Sequence, residues 1–325
     1  MRCAAAVPAG DNLVIGTVVG DPTVVVRDIQ DPANAKNLCT FDSTVLSPQF
    51  VSATVVAYET SDNQILEAPL AGGNATLIAT YGAGTGSGQY AISPDGHAVT
   101  YLDGNKWMLH GASGNRTLTT LPPVPGRGVS ANQDDSFLSF SPDGQYIALF
   151  QTFHVGGTGE TAPDQIRRAS DGALVYSTSG MTMAVWASVP SRLYFRDTAG
   201  SMKRWDASAG VSTMTNLGWI RPKASPDGRW IAYTFPTLSG VGGIGFYSVQ
   251  ANSVSNTTPP GRSGVRFLTN DLVWYSGEKQ CSTCFNGQPQ PTGVTYIYSI
   301  AGSSEITSRL ANVNDAWPKV TAPGL

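Results

Sequence analysis

Charge is scarce in this sequence. Only 13% of its 325 residues are Asp, Glu, Lys or Arg, about half of the ~25% usual for a soluble domain. The net charge is −3, with no basic block, which argues against a nucleic-acid partner. No apolar run approaches the ~18 residues a membrane-spanning helix needs, so a membrane span is excluded. Helix-length windows free of breakers are also missing. The 36 Gly and 21 Pro, together with frequent Ser and Thr, interrupt the chain too often for a coiled coil or a helical bundle. The start, Met1-Arg2-Cys3-Ala4-Ala5-Ala6, lacks the apolar segment of a signal peptide. What is present is a 41% hydrophobic content, too high for a disordered chain.

Cysteine is sparse but even in number: Cys3, Cys39, Cys281 and Cys284. Together with the low charge and the abundant Ser, Thr and Gly, this points to an exported protein, periplasmic or secreted. Cys281-Ser-Thr-Cys284 is a lone CxxC. A zinc site normally needs a second pair, and only His97, His110 and His154 could assist. A short-range disulfide stiffening a loop is the simpler expectation. Cys3 could bridge Cys39, although spacing alone does not fix the pairing.

Three segments repeat: Ile92-Ser93-Pro94-Asp95-Gly96, Phe140-Ser141-Pro142-Asp143-Gly144 and Ala224-Ser225-Pro226-Asp227-Gly228, each followed by a β-branched and aromatic run. Each reads as strand, tight turn, strand. Pro presets φ, Asp bonds its own backbone, and Gly takes positive φ. Pro94 and Pro142 stand 48 residues apart, and Pro142 and Pro226 stand 84 apart, twice 42. Weaker copies fill the intervals. Leu46-Ser47-Pro48 lies upstream, Ala184-Val185-Trp186-Ala187 in the long gap, and Val265-Arg266-Phe267-Leu268 downstream. Two further strands follow each copy, and four strands per ~45 residues is the period of a propeller blade.

The expected fold is therefore an all-β, seven-bladed β-propeller filling residues 1–325 as one domain. Six blades fall at about 43–80, 88–121, 137–179, 181–217, 220–259 and 264–310. The seventh combines 12–41 with 315–321, because Trp317-Pro318-Lys319-Val320-Thr321 aligns with Arg221-Pro222-Lys223-Ala224-Ser225. Pairing the two ends of the chain removes sheet edges that would otherwise stay open.

The Ser-Pro-Asp-Gly copies with their apolar strands resemble the TolB-like propeller repeat, a relative of the WD repeat. Three copies are sharp and the others decayed, so the resemblance covers nearly the whole chain as architecture. It implies a range of roles: periplasmic binding scaffolds, lids on peptidases, and in some members lyases or hydrolases with a metal in the channel. No G-x-S-x-G nucleophile elbow accompanies it in this chain.

In such a propeller the Ser-Pro-Asp-Gly turns share one face, and ligands bind at the opposite mouth. Counting back from each repeat's Pro places Lys223 and Lys319 at equivalent inner-strand positions, where Val45, Ala91, Ser139 and Ala184 stand in other blades. Arg221, Arg266, Trp219 and Trp317 lie near the same strand starts. A cationic, aromatic-edged mouth suits a carboxylate, a phosphate or a sugar acid. The alternative is that these lysines extend to solvent or pair with Asp42, Asp134, Asp135 or Asp315. Catalysis would need a base, and His154 is the one histidine expected at the mouth; Asp134, Asp135, Glu160 or Asp164 could help it orient a water or a divalent cation. An oxygen-rich calcium site could draw on Asp42, Asp134, Asp135, Asn314 and Asp315, which precede first strands. Acids at such positions also cap turns.

Two functions stand at this level. One is an exported, monomeric binding scaffold for a protein, a peptide, a glycan or a small anionic ligand. The other is a small hydrolase of esters or phosphoesters, or a sugar-acid lyase, acting at the channel mouth.

Overall fold

The computed structural model describes residues 1–3, 12–18, 20–29, 31, 36–41, 45–81, 90–103, 106–121, 138–150, 164–178, 180–187, 192–214, 219–236, 242–280 and 289–317. The fold is an all-β, seven-bladed β-propeller, in which six sheets have four antiparallel strands and one has five. Blades are numbered here in chain order. The first is completed by the C-terminal strand Leu310–Trp317, which pairs with Leu13–Val18 and so joins the two ends of the chain in one sheet.

The chain forms two compact units. One holds Ser43–Asn216 and carries the second to fifth blades; the other holds Met1–Asp42 with Leu217–Val320 and carries the sixth, seventh and first. Within each unit, successive blades pack face to face through apolar side chains. In the three-blade unit Ala232, Ile244 and Phe246 of the sixth blade meet Val265, Phe267, Val273 and Tyr275 of the seventh. Leu268, Trp274 and Ile297 of the seventh meet Val14, Leu310 and Val313 of the first. In the four-blade unit Trp107 and Leu109 lie against Ile147 and Leu149, and Phe150 and Ile166 against Trp186 and Phe195. A strand covered on both faces cannot alternate polar and apolar residues. Accordingly Leu193-Tyr194-Phe195 and Ile231-Ala232-Tyr233, both second strands, are buried throughout.

The Ser-Pro-Asp-Gly turns do what their chemistry predicts. Ser93 Oγ donates to the Asp95 carboxylate and accepts from the Ala98 amide at 2.8 Å, while the His97 amide donates to Asp95 at 3.0 Å. Gly96 sits at φ 74°, as the turn requires. Ser141, Asp143 and Gly144 repeat the arrangement, as do Ser225, Asp227 and Gly228.

Three features differ from the sequence expectation. Leu46-Ser47-Pro48 is no turn: it opens the inner strand Leu46–Ser52 of the second blade, and the turn falls at Ala53 and Thr54. Ser47 and Pro48 instead form a bulge, where proline's missing amide does no harm. The closing strand begins earlier than expected, and Ala316, not Val320, aligns with Ala224, because Val14 opposes Ala316 as Ile231 opposes Ala224. Finally, the first blade gains a fifth strand, Arg2–Cys3, which pairs with Lys36–Thr40 and is tied to it by a Cys3–Cys39 disulfide. Cys281 and Cys284 lie outside the described residues.

Candidate functional site

Pairing with the second strand fixes which inner-strand residues are equivalent. Lys223 opposes Ala232 in the sixth blade, Arg266 opposes Trp274 in the seventh, and Asp315 opposes Ile15 in the first. The matching pairs in the other blades are Gln49 with Ala57, Ala91 with Thr100, Ser139 with Ala148 and Val185 with Tyr194. One register is therefore charged in all three blades of the three-blade unit and neutral in all four blades of the other. The neutral polar members have structural work. Gln49 Nε2 donates to the Tyr90 carbonyl at 3.4 Å, and Ser139 Oγ accepts from Trp186 Nε1 at 3.0 Å, each linking adjacent blades.

Lys223, Arg266 and Asp315 are all partly exposed. Arg266 also donates from Nη1 to the Val265 carbonyl at 3.0 Å. Two cations and one anion at a common level favour a ligand carrying an anionic group beside a hydrogen-bond donor, since guanidinium and ammonium groups attract carboxylates and a carboxylate accepts from hydroxyl or amide. Each of the three strands is bulged just before this register, where one extra residue re-aims the following side chain.

Arg262 opens the inner strand of the seventh blade and is firmly held. Its Nε and Nη2 donate to the two oxygens of Glu305 at 3.0 and 2.7 Å, Nη1 donates to the Gly261 carbonyl, and its guanidinium lies 4.0 Å from the centre of the Tyr296 ring. Tyr275 Oη donates to the same carboxylate at 2.5 Å. The hydrogen bonds to Glu305 hold the Arg262 pKa above its ordinary value. Burial pushes the Glu305 carboxyl up, but the hydrogen bonds from Arg262 and Tyr275 and the adjacent positive charge outweigh it, so its pKa lies below the usual one. Burial, then donation to Glu305, raises the Tyr275 phenol.

The structure sorts the remaining sequence candidates. Arg221 is exposed on the bulge of the sixth blade. Trp219 is fully buried, stacked on Tyr233 with ring centres 5.1 Å apart and edge-on to Tyr247, so it belongs to the blade's packing and not to an open aromatic rim. Trp317 ends the closing strand at the backbone level, opposite Leu13. His154, Asp134, Asp135, Glu160, Lys319 and Asp42 lie outside the described residues. Among the described residues no group of three or more His, Cys, Asp or Glu side chains could hold a metal ion. Sequence reasoning had Arg266 and Asp315 near the mouth without recognising them as partners of Lys223. The signal was the apolar second strand, Val273-Trp274-Tyr275 and Val14-Ile15, from which the register can be counted where no Pro marks the turn.

No protein-family model and no curated protein matches the sequence. Solved propellers do match the fold. The chain is similar to an oligogalacturonate lyase in complex with manganese, at 12% identity and a TM-score of 0.58, over 90% of this chain and 83% of that one. It is also similar to TolB from Acinetobacter baumannii, at 17% identity and a TM-score of 0.47, over 75% of this chain. It spans only 63% of that TolB chain's length. At these identities the likeness is one of fold.

Proposed function

We propose that this protein is an extracytoplasmic ligand-binding β-propeller, a scaffold that engages an anionic group of a peptide or glycan through the inner strands of its sixth, seventh and first blades. One observation carries the reading: Lys223, Arg266 and Asp315 occupy a single register in three successive blades, while the equivalent four positions elsewhere are uncharged. Charged residues are rare in this chain, so their gathering at one level of the inner strands favours recognition over chance. The Cys3–Cys39 disulfide supports an oxidising compartment.

The test is calorimetric titration of the intact chain with glucuronate, for the glycan source, and with a triglutamate peptide, for the peptide source. One of the two binds, and Lys223→Ala with Arg266→Ala weakens it by about tenfold or more, the scale of a lost charge-assisted hydrogen bond. Binding unaltered by the double substitution refutes the reading. So does turnover of chromogenic esters, phosphoesters or polygalacturonate that survives it, which would favour the oligogalacturonate lyase as a guide to activity as well as fold.

A further inference from the structure

We draw no further inference here: the strongest candidate, the exposed apolar rim formed by Leu174 and Val175 on the outer strand of the fourth blade and Val211 on that of the fifth, carries nothing, because nothing in the structure shows what covers it.

Discussion

Replacing Glu305 by Gln tests whether the start of the seventh blade's inner strand is held by charge. Glu305→Gln preserves volume and one acceptor oxygen but removes the negative charge that receives Arg262 twice and Tyr275 once. The two charged side chains are only 16% and 23% exposed, so water screens the pair weakly. Hydrogen bonds to charged groups contribute about 1.5–3 kcal/mol each, and the Gln retains part of that, so the loss should be about 1.5–3 kcal/mol in total. For a chain of 325 residues each kcal/mol moves the midpoint by about 1.5 °C, giving a fall of about 2–5 °C near neutral pH. The pH dependence supplies the sign. Glu305 titrates below its ordinary value in the folded protein, so its stabilisation is complete above the unfolded value of 4.5 and is lost as pH falls through the folded one. The wild-type and Glu305→Gln melting curves should therefore converge in acid. Tyr275 behaves oppositely. Its raised pKa means that its contribution is complete below the unfolded value of 10.0 and fades as pH climbs above it. Differential scanning calorimetry across this range reads both effects. A Glu305→Gln protein that melts with wild type near neutrality, or a gap that persists unchanged in acid, refutes the account. Arg262→Ala should cost more than Glu305→Gln, because it strands a partly buried carboxylate and strips the cation from the Tyr296 ring.

Two further outcomes concern the first blade. Gly16→Ala should prevent the closing strand from seating, since a Cβ there would overlap the Asn312 carbonyl; a melt lowered by several degrees, with increased hydrogen exchange over Leu310–Trp317, is the expected readout, and wild-type protection of that strand would contradict it. Cys3→Ser should destabilise the protein by about 3–4 kcal/mol on loop-closure grounds for a sequence separation of 36, and free the Arg2–Cys3 strand; unchanged exchange at Lys36–Thr40 would show that strand pairing holds without the bond.

Chemistry that is complete within a few residues could be read from sequence, and chemistry that depends on pairing could not. Ser93, Asp95 and Gly96 make their turn from their own side chains and amides, so the repeat and the number of blades followed from the sequence alone. Ser47-Pro48 shares two letters of that motif but lacks the Asp and Gly that close it, and the same Pro serves equally well after a bulge, as Arg221-Pro222 does in the sixth blade. Anchoring the count on proline therefore misplaced the equivalents of Lys223: Val45 for Gln49, Ala184 for Val185 and Lys319 for Asp315. The last error reverses a sign. With Lys319 the level would hold cations only, and a simple anion would satisfy it. With Asp315 it holds an acceptor as well, so the ligand proposed above would offer a donor near its acid group, as sugar acids and acidic peptides do. Register, a property of neighbouring strands, thus decides which charges the inner strands bring to one level.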